Sequence, residues 1–288
     1  LVYHALYRMP GLSRSAANDP FRGRAFLANN MGGLAVAPTI PGLSASYSGW
    51  MARYMHEYGA TREDFGRLAI SNRSYAADNP HAALRTPLTM DDYLAARMVR
   101  EPMCMLDMDL PIDGADAVVV TTAERARDLP QKPVLIHAAT YGQTVHPEDD
   151  QGTDLHHLAK TVVVKNLWAR SELTLADIDI FFPYDGFSII MMSDFEFAGY
   201  CRRGEGPDFV RQHWDAARNR IAIDGRILVN PHGGSLSDGG TQGAGHVREA
   251  VLQLRGQAGE RQSPGVRNAL LTPGSLFFNS TGLIFRTE

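Results

Sequence analysis

Apolar and polar positions along this 288-residue chain alternate with two periods, near two and near 3.6, and the places where one gives way to the other mark its elements. Leu1 to Tyr7 alternates as a strand, and the Gly-, Pro-, Asn- and Ser-rich stretch from Met9 to Gly49 predicts a long loop of functional or interfacial use. Met51, Tyr54, Met55 and Tyr58 recur at helical spacing and stop at Gly59; Thr61 opens a second helix, with Asp64 placed to cap it. Asp91 or Asp92 begins a short helix through Met98. The run Asp116 to Thr121 predicts a buried strand, and Thr122 to Asp128 a short helix. Past the Pro130 to Pro133 link come strand Val134 to Ala139, a loop from Tyr141 to Gly152, helix Asp154 to Arg170 and strand Leu175 to Phe182. Helix Ile189 to Ala198, strand Ile227 to Asn230, helix Ala244 to Gly256, and strands Leu270–Leu271 and Leu276 to Phe285 complete the pattern. Strand and helix alternate, so the fold class is α/β in layers, α/β/α, divided at the link into 1–130 and 131–288.

Composition narrows the functional classes. With 44% hydrophobic and 21% charged residues the chain reads as a globular protein with a sizeable core. A net charge of −4 gives no basic field for nucleic acid. Two distant cysteines, without C-x-x-C spacing, argue against both a disulfide framework and a zinc site, and fit a cytoplasmic setting. No apolar run reaches the roughly 20 residues that span a bilayer.

Candidate chemistry concentrates in two stretches. Between Asn230 and Gly245 six glycines fall within sixteen residues, and a helical pattern follows at once. Glycine removes the Cβ that keeps a ligand from the backbone, and a helix start offers free N–H groups to a negative oxygen. Asn230, Gly233, Gly234, Ser235, Gly239 and Gly240 are the expected substrate-binding residues of this loop; a ligand-free helix turn is the bland alternative. The other stretch, Pro183-Tyr184-Asp185-Gly186-Phe187-Ser188, joins a strand to an apolar helix, and α/β sheets present ligands at carboxyl ends of strands. Tyr184 is either a proton-handling phenol or a strand-end aromatic covering the core. A phenol ionises near pH 10, so Asp185, His232 or the helix start must help it act as a base. His232, whose imidazole type titrates near neutrality, is the candidate for a second proton role, with a structural histidine as the alternative. His246 reads as helix surface or packing, and His156–His157, about 100° apart on a helix, do not make a metal pair. The Arg202, Arg203 and Glu205 turn reads as solvated.

NPHGGSLSDGGTQG, from Asn230 to Gly243, is similar in frame to the Gly-Gly…Gly-His-Pro-x-Gly loop of thiolases. Tyr184-Asp185-Gly186-Phe187 stands where thiolases carry Asn-Glu-Ala-Phe, and Leu106 to Thr121 resembles their Asp-Gly-Ala strand. With Met51 to Gly59 and Pro87 to Val99, the chain most resembles the sterol carrier protein X and lipid-transfer branch, of steroid side-chain aldolase type. The resemblance runs over the whole chain and implies a thiolase-like layered fold in which 1–130 is the remainder of the N-terminal domain with a loop insertion, lacking its first part, and 131–288 is the C-terminal domain. Two departures limit what carries over. The histidine of Gly-His-Pro falls on Gly240, with Thr241 at the proline, and neither Cys104 nor Cys201 matches a family nucleophile. In the aldolases of this branch a tyrosine replaces the Asn-Glu-Ala-Phe asparagine, as Tyr184 does here, and a second tyrosine replaces the lost histidine, which this chain does not do.

The resemblance therefore implies a subunit acting on acyl-CoA thioesters by retro-aldol cleavage of a β-hydroxyacyl-CoA, with no cofactor of its own and with CoA thioester as substrate. Tyr184, Asp185 and His232 are the expected catalytic residues. It also implies a homodimer and a small OB-fold, zinc-containing partner subunit. The rival readings are a CoA-dependent thiolase or acetyl-CoA acyltransferase whose cysteine lies outside this chain, and a non-catalytic acyl-CoA-binding subunit.

Overall fold

The computed structural model describes residues 2–6, 42–142, 159–276 and 280–288, with side chains from Tyr47 onward. Strands Ile180–Pro183 (β6), Ile227–Val229 (β9) and Asn268–Thr272 (β10) run parallel at the centre of a seven-stranded sheet. β6 is buried at every position, the signature of a central parallel strand covered on both faces. Antiparallel strands flank this centre: Ser280–Arg286 (β11) and Leu135–Gly142 (β5) on one side, Arg220–Ile223 (β8) and Trp214–Asp215 (β7) on the other.

Alternate strand residues feed two cores. Phe181, Leu270 and Ile284 face helices Gly42–Tyr58 (α1), Arg62–Ala77 (α2), Ala159–Ala169 (α5) and Ser188–Ala198 (α6). Ile180, Phe182, Leu271 and Phe285 face Ala250 and Leu254 of Ala244–Arg255 (α9). Helices on both faces of one sheet make the layered α/β/α arrangement expected. α2 forms where Thr61 announces it: the Thr61 amide donates to Asp64 Oδ2 at 2.9 Å, and Arg211 of Gly206–Gln212 (α7) grips the same carboxylate at 2.8 and 2.7 Å. The remaining elements are helices Met90–Ala95 (α3) and Ala123–Arg127 (α4), the hairpin of Met98–Arg100 (β2) with Met103–Cys104 (β3), and the pairing of Val2–Leu6 (β1) with Gly114–Val118 (β4).

Several expectations are corrected. Residues 42–49 are helical, extending α1 upstream of Trp50, because Tyr47 and Trp50 continue its buried face. The predicted buried strand 116–121 is an exposed-edged ribbon: β4 pairs only with β1 among the described residues, and Val119 and Val120 are 73% and 55% exposed. Leu175–Asp177 is a 3-10 turn before β6 rather than its start, and Met98 belongs to β2 rather than to α3. His156, His157, most of the Tyr141 to Gly152 loop and the rest of the Met9 to Gly49 loop lie outside the described residues. Among the described residues no helix is long and apolar enough to cross a membrane, and no group of three or more His, Cys, Asp or Glu could hold a metal ion.

Candidate active site

At the carboxyl end of β6 the chain turns through Tyr184, Asp185 and Gly186 into α6. The Tyr184 amide donates to Asp194 Oδ2 at 2.9 Å, and the same oxygen accepts from Lys160 Nζ and Thr272 Oγ1, each at 2.7 Å. The strand end is thus pinned from α5, α6 and β10 together. The phenol lies over Gly186: a Cβ there would stand 2.7 to 2.8 Å from Cε1, Cζ and Oη of Tyr184. A tyrosine in place of the smaller asparagine of the resembled tetrad therefore goes with glycine in place of alanine.

Asp185 is fully buried and accepts four hydrogen bonds. The Ser235 and Leu236 amides donate at 2.8 and 3.0 Å, Asn72 Nδ2 at 2.6 Å, and His246 Nε2 lies 2.9 Å away. The first two amides open the short helix Gly234–Ser237 (α8), so the helix start expected to receive a ligand's negative charge receives the Asp185 carboxylate instead.

The glycine loop is likewise packed rather than bare. Added Cβ atoms at Gly233, Gly234, Gly239 and Gly240 would meet Ala76, Asp185, Ile112 and Asp109 within 2.0 to 2.6 Å. Positive φ at Gly233 (+102°) and Gly234 (+61°) gives the turn that brings α8 onto Asp185. Segment 109–110 stitches both stretches together: Asp109 N donates to Gly186 O, Leu110 N to Ser235 O, and Gly240 N to Leu110 O at 2.7 Å. Asn230, also at positive φ, donates from Nδ2 to Pro183 O at 3.0 Å. The glycines serve close protein contact, which is a different reason for their presence from ligand access.

The histidines exchange roles. His232 is buried, and burial holds its imidazole well below the ordinary range, reinforced by His246, Arg248 and Arg261; it stays neutral where a free histidine titrates. The neutral-range titration that made it a candidate is lost. His246, expected as helix surface or packing, is 2% exposed and so not on the surface; it is bonded to Asp185, with its ring 4.7 Å from that of His232 and 6.0 Å from that of Tyr184. Of Tyr184, Asp185, His232 and His246, only Tyr184 is partly exposed. Among the described site residues, Asn72 Oδ1, Asn230 Oδ1, His232 Nδ1 and Ser235 Oγ are buried without a hydrogen-bond partner.

Sequence reasoning missed His246 and Asn72. Asn72 had a signal: it shares the α2 face of Phe65, Ala69 and Ala76, a polar residue in an apolar stripe. His246 had none, since its partner lies 61 residues away. The cysteines are not poised as nucleophiles. Burial, with Asp107 beside it, pushes the Cys104 thiol up to about 11, and burial with Glu196 and Glu205 pushes Cys201 up to about 12. A cavity of about 620 Å³ lined by Tyr200, Cys201, Phe209, His213 and Arg226 lies at the amino ends of β6 and β9, the opposite edge from Tyr184.

Comparison with known proteins agrees with this layout. A family model described as thiolase C-terminal domain-like matches residues 142–287. The chain is 38% identical over 232 residues to the 17-hydroxy-3-oxo-4-pregnene-20-carboxyl-CoA lyase of Mycobacterium tuberculosis, covering 77% of this chain and 57% of that protein. It is 37% identical to a steroid side-chain-cleaving aldolase of Thermomonospora curvata, covering 78% of this chain and 58% of the relative. The chain thus spans less than two thirds of these relatives' length. The solved Ltp2–ChsH2(DUF35) aldolase superposes with a TM-score of 0.80 at 33% identity, covering 99% of this chain and 71% of that one.

Proposed function

The chain belongs to the thiolase superfamily, in its sterol carrier protein X and lipid-transfer branch, and from that premise we propose that it serves retro-aldol cleavage of a β-hydroxyacyl-CoA carrying a steroid or lipid side chain. The observation that carries this reading is the Tyr184 phenol at the carboxyl end of β6, partly exposed, with neither described cysteine poised as a thiolate. A phenol serves proton transfer to and from a hydroxyl, whereas acyl transfer by a thiolase needs an activated thiolate. Two relatives similar over most of this chain bear the names of a carboxyl-CoA lyase and an aldolase, in line with cleavage rather than transfer.

In this reading Tyr184 takes the β-hydroxyl proton. Asp185 and His232 act by holding the site's shape, and so do the buried Asn230, which donates to Pro183 O, and Ser235, whose amide donates to Asp185. Gly233, Gly234, Gly239 and Gly240 fix the backbone on which those side chains stand. The substrate is a CoA thioester and no resident cofactor is invoked. The chain works in the cytoplasm as a homodimer with a small OB-fold, zinc-containing partner subunit, a partnership supported by the pairing of Ltp2 with ChsH2(DUF35) in the solved aldolase. The same reading divides the chain into 1–130 and 131–288.

The test is cleavage of a 17-hydroxy steroid carboxyl-CoA by the complete native protein with its partner. Tyr184→Phe is expected to lower kcat/KM by far more than tenfold, which is about 1.4 kcal/mol of barrier. Gly186→Ala, which displaces the phenol without removing it, is expected to lower it in the same direction. Cleavage by Tyr184→Phe within tenfold of the native rate rejects the reading; CoA-dependent thiolysis of a β-ketoacyl-CoA would replace it with the transferase.

A further inference from the structure

A tyrosine does not serve as a base near neutral pH without a group to take its own proton. We propose that His246, held by Asp185, is that group: a Tyr184–His246–Asp185 relay, in which the phenol meets the substrate and the imidazole acts through it. This rests on the retro-aldol reading above and supplies the second proton-handling residue which that reading leaves vacant.

Three observations carry it. First, the His246 ring has one fixed tautomeric partner: with Nε2 2.9 Å from the Asp185 carboxylate, the remaining nitrogen, Nδ1, is the one left to exchange protons. The carboxylate compensates the charge which the ring acquires when it takes a second proton, the part an aspartate plays behind a catalytic histidine elsewhere. Second, the imidazole stands behind the phenol, ring centroids 6.0 Å apart, and no other described histidine combines such proximity with a carboxylate; His232 touches His246 but is held neutral by its surroundings. Third, the neighbours of Asp185 and His246 keep hydrogen-bonding capacity: Asn72 and Ser235, both bonded to Asp185, leave Oδ1 and Oγ without partners, and His232, against His246, leaves Nδ1.

The groups facing His246 are Asp185 from the β6 end, Tyr184 beside it and His232 from the loop, with Asp238 within electrostatic reach of His246, and Arg248 and Arg261 within reach of His232. The step balances within these residues. The phenol oxygen takes the β-hydroxyl proton while its own passes to Nδ1 of His246. The Cα–Cβ bond breaks, its electron pair enters the thioester enolate, and the former hydroxyl oxygen becomes a carbonyl. The proton then returns from the imidazolium through the phenol to the enolate carbon, which leaves both residues as they began.

His246→Ala and His246→Gln in the complete native protein with its partner test this, alongside Tyr184→Phe. Both histidine variants, after their fold is checked by near-UV circular dichroism, are expected to lose about 100-fold or more in kcat, with KM little changed. Added imidazole is expected to restore part of the His246→Ala rate and none of the Tyr184→Phe rate. A readout independent of turnover is the ultraviolet titration of the Tyr184 phenol, isolated by subtracting the Tyr184→Phe spectrum: a neutral ring that accepts the phenol's proton stabilises the protonated phenol, so removing His246 is expected to move its ionisation downward. A folded His246→Ala that keeps its rate within threefold, or a phenol that titrates alike with and without His246, overturns the relay. If the native protein and Tyr184→Phe are equally inert, the retro-aldol reading fails, and the phenol titration still decides the relay.

Discussion

A carboxylate that accepts from two backbone amides, a side-chain amide and an imidazole is tolerated in a fully buried place without a lysine or arginine, because each lone pair it withdrew from water is used again. Asp185 is that case, and it explains why a motif residue expected to assist chemistry directly shapes the site from beneath. His232 shows the opposite balance, a ring whose burial excludes the proton it would hold in water. The consequence for stability has a definite sign. Its folded-state pKa is depressed, so below pH about 6.5 the unfolded chain binds a proton there that the folded chain refuses. The stability contributed by the neutral ring is whole above that pH and falls as pH drops, by up to about 1.4 kcal/mol per pH unit. Urea denaturation between about pH 5 and 7.5 is therefore expected to show a flatter acid limb for His232→Gln than for the native protein. Equal slopes would mean that the folded ring does take the proton.

At the scale of elements, α8 matters beyond its length. Four residues do not make a helix that stands alone, and α8 persists because its first amides end on Asp185 while its last turn is held by Arg73, whose Nε donates to Ser237 Oγ at 3.0 Å. The approach depends on Gly234, where φ is +61° and a Cβ would lie 2.0 Å from Asp185 Oδ2. Gly234→Ala adds left-handed strain to a clash with a buried carboxylate that has no room to retreat. We expect it to cost about 3 kcal/mol or more in chemical denaturation, since overpacking and an unfavourable φ act together. Gly256→Ala, also at positive φ but with nothing within 4 Å of the added carbon, is the control and is expected to cost less. Similar losses for both would show that conformation alone, and not the meeting with Asp185, is what Gly234 serves.

For the whole molecule, the buried Lys160–Asp194 pair is the point where two helices and the central sheet meet the site. Lys160 reaches from α5 to Asp194 on α6 and to Thr272 O on β10, at 2.7 and 2.5 Å, and Asp194 holds the Tyr184 amide. Removing one partner leaves a buried charge uncompensated, so Lys160→Met is expected to lose about 3 to 5 kcal/mol. Replacing both, as Lys160→Met with Asp194→Leu, is expected to recover most of that stability, because apolar groups of like volume avoid the desolvation penalty. Turnover in the double variant is expected to stay low, since the Tyr184 amide has lost its acceptor and the strand end its anchor. A double variant restored in both stability and kcat/KM would show that the pair holds the fold without positioning the phenol.

The chain's own order of residues determined the layered class, the central strands and the place of Tyr184. Apolar runs such as Phe181-Phe182 and Leu270-Leu271, and helical spacing such as Met51, Tyr54, Met55 and Tyr58, are local, and so is the turn after Pro183 that puts Tyr184 at a strand's carboxyl end. What only the docking of elements decided was which polar groups meet. Asn72 and Asp185 are 113 residues apart and Asp185 and His246 are 61, and no periodicity links them. The glycine loop shows the difference most clearly: its composition announced close approach, but whether a ligand or a carboxylate of the same chain makes that approach depends on where β6 ends relative to α8. Hydrophobic burial sets that relation by fixing how the helices pack on the sheet, and the buried hydrogen bonds depend on which donors that packing leaves facing which acceptors.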